Sequence, residues 1–270
     1  MMSQRVFLAI TLVALAFLAV PAPAENSDRT KAIFKNYSVF LNDVSARRSR
    51  IVYVPYPNSP RRGLQHGLVH TSDGSVAFAR VDMVVDATMP IVLKRVYLST
   101  RSNTSGFGDA RWQFSIQETI EQAGNGQILY RYGNGRELLL NGNREFIPQP
   151  FDLATSDILR IRVRQNAATV VTRTGLSKRF RRVGSTYLIT LVADQFGNQI
   201  EIDYDSENRI TRVASSDGPY VDVSTNSSGY YESITDDQGR TVQFRYDGNH
   251  LNEVDDIRGE TWSYRYSSDG

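Results

Sequence analysis

The residues of this 270-residue chain that could carry chemistry are few and poorly spaced for it. His66 and His70 stand four apart, the interval that sets two imidazoles on one helix face to hold a metal. Gly67, however, sits where a metalloprotease motif needs its glutamate, and Gly63, Gly67 and Gly74 disfavour the helix itself. Two loop histidines are expected. His250, at a predicted hairpin turn, is expected in solvent. Asp203, Asp205 and Glu207 begin like a calcium loop, yet its sixth position falls on Asn208 rather than glycine and its twelfth on Ala214 rather than glutamate. A strand end and turn explains them better. No G-x-S-x-G, Walker A or G-x-G-x-x-G motif occurs. The chain reads as a non-enzyme with no catalytic, cofactor or metal residues.

Charge and aromatic clusters are the remaining candidates. Lys178, Arg179, Arg181 and Arg182 surround Phe180, and Arg160, Arg162 and Arg164 alternate with Ile161 and Val163. Such runs can face nucleic acid or an anionic glycan, but the solvated side of an amphipathic strand is the favoured reading, so no nucleic-acid partner is expected. Arg47, Arg48, Arg50, Arg61 and Arg62 lie in a Pro- and Ser-containing stretch that reads as a flexible lead-in. Tyr204, Tyr246, Trp262, Tyr264 and Tyr266, with Phe244, form an aromatic series. Their rings could stack on sugars, which makes these five the candidate ligand-binding residues and a glycan a candidate partner. They also occupy inward positions of a strand pattern, and core packing is the favoured role.

That pattern is a repeat. Gly197, Gly218, Gly239 and Gly259 follow one another at a nearly constant interval. Three, five and seven residues after each glycine come Ile200, Ile202 and Tyr204; Val221, Val223 and Thr225; Val242, Phe244 and Tyr246; and Trp262, Tyr264 and Tyr266. A period of two puts each trio on one face of a strand, with polar residues between them facing water. Ile210 and Val213, Tyr231 and Ile234, and Leu251 and Val254 mark a second strand in the first three units, so each unit is a hairpin. Asp194 to Gly197 and Asp236 to Gly239 have the Asp-first, Gly-fourth signature of a type I turn, and Asp205 to Asn208 or Asp247-Gly248 turns the chain within a unit. Gly175, with Phe180 and Leu188 behind it, reads as a degenerate first unit. One hairpin is marginal in water, so consecutive hairpins must share a sheet.

The segment Met1–Ala24 differs from the rest. Arg5 is its only charge, the stretch from Val6 to Val20 is interrupted only by Thr11, and Ala22-Pro23-Ala24 is a small-residue site of the A-x-A kind. A cleaved signal peptide ending at Ala24 is expected, because the apolar stretch falls short of the roughly 20 residues that a bilayer span needs. Loss of Arg5 from the 31 Lys and Arg would leave 30 against 29 Asp and Glu, and the chain has no cysteine. Near neutrality gives no general attraction to polyanions. Without disulfides or thiolate-bound zinc, stability must come from packing.

The Tyr204-Asp205 and Tyr246-Asp247 pairs resemble the YD repeats of bacterial Rhs proteins, insecticidal toxin complexes and teneurins, over about residues 175–270. Thr225-Asn226 and Tyr266-Ser267 depart from the pair. A second resemblance lies upstream: Asp82 to Val85, Met89 to Ser99, Gly106-Phe107-Gly108 and Trp112 are similar to the segment preceding the repeats in Rhs proteins, although Leu98 and Arg111 replace its usual Asn and Gly. The resemblance implies a spiral sheet enclosing a hollow shell, with a C-terminal toxin cargo held inside it. The chain stops at Asp269-Gly270, where the fourth unit should turn, which reads as a truncated gene, a fragment or an orphan remnant.

The expected organisation is a signal at 1–24, a lead-in at 25–70 with a short helix at 28–44, an Rhs-type segment at 71–118, a strand-rich bridge at 119–174 and YD-like hairpins at 175–270. The expected fold is all-β, antiparallel hairpin repeats forming part of a spiral YD-type sheet. The expected function is a non-enzymatic shell portion of an exported polymorphic-toxin-type protein, located in the periplasm, at the cell surface or outside the cell. Its partners would be a C-terminal cargo or continuing repeats from the same or a neighbouring gene, with no membrane span after processing. A surface carbohydrate-binding or adhesion module is the alternative. Intact mass of the exported protein should place its first residue at Glu25, and retention of residues 1–24 would refute the signal reading.

Overall fold

Hairpins built on the glycine interval dominate the computed structural model, which describes residues 51–53, 68–70, 76–99, 106–109, 111–123, 126–142, 144–148 and 157–266. The signal segment, the 28–44 helix, His66, the arginines at 47, 48, 50, 61 and 62, and the chain end lie outside the described residues. All described residues fall in one compact unit, Arg47–Gly270. Among them no helix is long and apolar enough to cross a membrane, and every element is a strand.

A five-stranded antiparallel sheet is formed by β1 (Ile51–Tyr53), β2 (Leu68–His70), β3 (Val76–Val85), β4 (Ile91–Leu98) and β5 (Trp112–Phe114) in sequence order. The remaining fifteen strands make one larger sheet. Its path runs from β9 (Glu145–Phe146) through β10 (Ile158–Val163), β11 (Ala167–Thr172), β12 (Ser177–Val183) and β13 (Thr186–Ala193). It continues through β14 (Gln199–Tyr204), β15 (Ile210–Ser215), β16 (Tyr220–Thr225), β17 (Tyr231–Asp236), β18 (Thr241–Asp247), β19 (His250–Asp255) and β20 (Thr261–Ser263). Neighbours in sequence are neighbours in the sheet, as short connections require.

The sheet forks at β13. Leu191 to Ala193 pair with β14, whereas Thr186 to Leu188 pair with β6 (Thr119–Ala123). β6 continues into β7 (Gln127–Arg131) and β8 (Glu137–Asn141), an arm that folds over β10–β12. Tyr130 of the arm meets Phe180 edge-on at 6.3 Å, and the Tyr132 hydroxyl donates to Asp157. Phe180 is buried as the repeat reading requires. Leu188 is only half-buried, because a register shift beside Arg179 and Phe180 turns Tyr187 and Ile189 inward instead.

The second strand of each hairpin carries a device that the period alone does not explain. Ile210 and Val213 are three residues apart, which in a regular strand would place them on opposite faces, yet both are fully buried. Register shifts fall between Asp203 and Tyr204, between Ser224 and Thr225, and between Arg245 and Tyr246. Each leaves one extra residue on the partner strand, Thr211, Glu232 or Asn252, and that bulge returns the chain to phase. Tyr231 with Ile234 and Leu251 with Val254 are buried by the same geometry.

The Tyr-Asp pair has two structural tasks. Tyr204, Tyr246 and Tyr266 donate their hydroxyls to the carbonyls of Ile189, Tyr231 and Leu251 at 2.7, 2.7 and 2.6 Å, in each case 15 residues back and in the preceding hairpin. Burial pushes these phenols well above their ordinary range, so they remain donors. The aspartate that follows Tyr204 closes the turn: Asp205 Oδ1 accepts the amides of Glu207 and Arg209. Asp194, Asn226, Asp236 and Asp256 do the same for the amides two and four residues on. Where the second unit has Thr225 in place of tyrosine, the Tyr231 hydroxyl accepts the amide of Ile210 and the side-chain amide of Gln117. Tyr246→Phe removes one inter-hairpin tie and leaves the Tyr231 carbonyl short of a donor. It is expected to cost about 1–2 kcal/mol in urea unfolding with the strand signature of circular dichroism retained.

Candidate functional site

The place where polar chemistry concentrates is the junction between the small sheet and the buried face of the hairpins. Asp82 of β3 and Arg95 of β4 face one another with side chains fully out of solvent. Arg95 Nε and Nη2 donate to the two Asp82 oxygens at 2.6 and 2.8 Å, a bidentate pair, and Nη2 also reaches the Tyr264 hydroxyl at 3.3 Å. The guanidinium lies 5.1 Å from the Trp112 ring, 5.3 Å from Phe244 and 5.6 Å from Tyr264. Burial alone would lower the Arg95 pKa; Asp82 and Tyr264 outweigh it and hold the group charged. One polar atom of the pair is left over: Nη1 is buried with no hydrogen-bond partner among the described residues.

Around this pair the small sheet is fastened to successive hairpins. The Thr88 amide donates to Asp217, whose carboxyl is held down to about 2 by hydrogen bonds from Ser215 and Thr88. Arg240 donates to the carbonyl of Val84, and Arg80 stands 3.7 Å from Asp256. His250 Nδ1 lies 2.7 Å from Asp109, and its ring sits against Tyr266. His250 does follow the hairpin turn with its side chain 41% exposed, but it is not free: the register of β19 aims the imidazole at the nearly buried carboxylate of an aspartate in the small sheet's own loop.

The Gly106-Phe107-Gly108 stretch is the plug of this junction. Phe107 is fully buried among Phe114, Tyr231 and Phe244, with ring centroids 4.7, 5.0 and 5.3 Å away. Both glycines have left-handed backbone, φ +86° and +78°. A Cβ at Gly106 would lie 2.4 Å from the Tyr231 ring, and one at Gly108 would lie 2.1 Å from the Asn249 carbonyl. That closeness lets the Tyr231 amide donate to Gly106 and the Asp109 amide to Asn249.

The five aromatic candidates are not gathered into one open surface. Tyr264 packs edge-on against Trp112 at 4.9 Å and meets Arg95. Tyr266 accepts the Trp112 indole N–H at 2.9 Å while donating to Leu251. Trp262 is covered by the Arg80 guanidinium, 3.1 Å above its ring. Tyr204 and Tyr246 stand apart at their inter-hairpin ties. The acidic trio is a turn: Asp205 and Glu207 both pair with Arg209. Among the described residues no group of three or more His, Asp or Glu could hold a metal.

The basic run divides. Arg179, Arg181 and Arg182 are exposed, but Lys178 is buried with Glu118, its Nζ at 2.8 Å from both carboxylate oxygens. Strand alternation turns 178 and 180 inward together, and Glu118, just after β5, supplies the counter-charge. Sequence reasoning placed Lys178 in solvent because its partner lies 60 positions away. It missed Asp82 and Arg95 as a pair for a related reason: they sit inside apolar runs whose own pattern is that of a buried strand.

The architecture is thus an all-β protein of antiparallel hairpin repeats whose buried face is covered by a small sheet. Residues 67–140 match the family described as Domain of unknown function (DUF6531), a domain often found in Rhs/YD-repeat proteins. The match runs from just before β2 into β8, so it contains Asp82, Arg95, the Phe107 plug and Glu118. No curated protein matches the chain. Arg95→Met should cost about 3–5 kcal/mol in denaturant unfolding, because it strands a buried carboxylate. The double variant Arg95→Met with Asp82→Leu should recover much of that loss, and the difference measures the pair.

Proposed function

We propose that the chain is a non-enzymatic scaffold: the N-terminal portion of an exported Rhs/YD-repeat shell, in which the hairpin sheet continues into further repeats and holds a C-terminal cargo. The observation that carries this reading is how the polar groups of the covered face are used. Asp82 neutralises Arg95, Glu118 neutralises Lys178, and the tyrosine hydroxyls tie one hairpin to the next. Each is committed to holding strands rather than left at a cleft where a substrate could meet it. The domain match at 67–140 supports the same assignment. Export is part of the proposal and rests on the apolar leader with its small-residue site at Ala22-Pro23-Ala24.

The test is purification of the native protein from its own cells through a tag placed after residue 24. A polypeptide encoded by the same or the neighbouring gene is expected to copurify in equal amount. It should resist protease until the sheet is unfolded. Purified native protein that carries no such polypeptide, or one cleaved as fast as in free solution, would overturn the scaffold reading.

A further inference from the structure

At the fork of the large sheet, a cavity of about 600 Å³ opens between the β6 arm and the ends of β10, β12 and β13, and its lining is strongly cationic. Arg144, Arg162, Arg164 and Arg182 line it against a single carboxylate, Glu145. Four guanidinium groups facing one carboxylate leave an excess of three positive charges on a chain whose processed form is close to neutral. Glu145 is already engaged, 2.9 Å from Arg162 and 3.5 Å from Arg160. Arg182 directs Nε and Nη1 to the carbonyls of Gly184 and Gln165. Arg144 and Arg164 are exposed and make no side-chain hydrogen bond or ion pair among the described residues.

The floor is rigid. Tyr187 is 1% exposed, and its hydroxyl donates to the carbonyl of Arg164 at 2.8 Å. The amide of Val163, itself 1% exposed, donates to the carbonyl of Arg144 at 2.6 Å. The backbones carrying the two unengaged arginines are therefore fixed across the cavity from strand to strand. Such preorganisation separates a built recess from a stripe of solvated arginines on a strand.

We propose that this cavity is a binding site for an acidic saccharide, a sugar bearing a carboxylate or sulfate group. The planar guanidinium fork matches such oxyanions with two parallel hydrogen bonds. A cavity of about 600 Å³ is larger than one oxyanion needs and lies in the range that holds a small organic ligand. The side-chain amides of Gln122 and Gln165 also line it and offer donors and acceptors to ring hydroxyls. Nucleic acid fits less well, because single strands bind by stacking bases on open rings and the one aromatic here, Tyr187, is buried. This inference does not rest on the scaffold reading, which concerns the covered face of the hairpins.

The test titrates the purified full chain by calorimetry with a galacturonic acid tetramer, a sulfated galactose tetramer, the neutral galactose tetramer, free galacturonic acid and a single-stranded DNA of matched charge. Saturable binding of either acidic tetramer is expected, weakening with salt and absent for the neutral one. Free galacturonic acid binding as tightly as its tetramer would assign the site to one sugar residue; weaker binding would assign it to a glycan. Arg144→Ala and Arg164→Ala, both at exposed positions, should each weaken binding about tenfold. Glu145→Gln should tighten it by freeing Arg162, while Arg258→Ala in the last hairpin should leave it unchanged. No saturable binding of either acidic tetramer, equal loss in Arg258→Ala, or DNA bound as tightly as the tetramers would overturn the proposal.

Discussion

A guanidinium sealed from water must have its counter-charge sealed in with it, and the placement of Arg95 is the constraint on which the rest of this structure depends. The desolvation cost of Arg95 is met only if a carboxylate of the neighbouring strand reaches it; Arg80 is the residue paired with Arg95, and the bulge that sets Asp82 between Val81 and Met83 brings the carboxylate to the guanidinium. It also requires that water be excluded from above. Trp112, Phe244 and Tyr264 do that, one from the small sheet and two from the final hairpins of the chain. An ion pair of this kind adds little net stability against an apolar substitute. It instead penalises any arrangement in which the small sheet meets the hairpins in another register, since the charge would then be buried unpaired.

The hairpins have a constraint of their own. The step from Gly197 to Gly218, repeated from Gly218 to Gly239, is odd, and two strands with two turns would drift out of phase with the buried face unless one residue were absorbed in each unit. The bulges at Thr211 and Glu232 absorb it; the step from Gly239 to Gly259 is one residue shorter because the inner turn between Tyr246 and Leu251 is one residue shorter, and the bulge is kept at Asn252. Each lies opposite the last inward position of the first strand, where the local twist increases and the tyrosine hydroxyl can swing back to the previous hairpin. The repeat length, the bulge and the tyrosine are therefore one device. Its tolerance shows at Thr225, where the Tyr231 hydroxyl and Gln117 take up the polar work locally.

Much of this was legible in the sequence because it is written in local periods. Ile200 and Ile202, Val221 and Val223, and Val242 and Phe244 alternate with polar neighbours, and all six are buried. The turns were legible because an aspartate or asparagine that accepts amides two and four residues on must sit at a fixed offset from them. What was not legible depends on partners far apart in sequence. Lys178 looked like its exposed neighbours Arg179 and Arg181 because nothing nearby announces Glu118. His250 sits at its turn, but its contact with Asp109 was hidden because the two are 141 positions apart. The arginine cavity was partly visible: Arg162, Arg164 and Arg182 were singled out, but as two separate runs, and it is the pairing of β9 to β12 that brings them together with Arg144.

Stacked hairpins that touch only their neighbours should behave as a one-dimensional array, each unit opening at a cost set by the two interfaces beside it. This chain adds a second kind of coupling. Thr88, Val84, Arg80, Asp109, Arg95 and Trp112, all in one short stretch, bond to Asp217, Arg240, Asp256, His250, Tyr264 and Tyr266 across successive hairpins. Opening any of those hairpins breaks a bond to the small sheet as well as to a neighbour, so they are bound to one another through a common part. The price is kinetic: these contacts close very long loops, and the small sheet cannot complete its burial until the hairpins exist. Until then Phe107, Trp112 and the Asp82–Arg95 pair have nothing above them. The segment made first is thus stabilised last, which ties the integrity of the covered face to correct assembly of every hairpin that follows it.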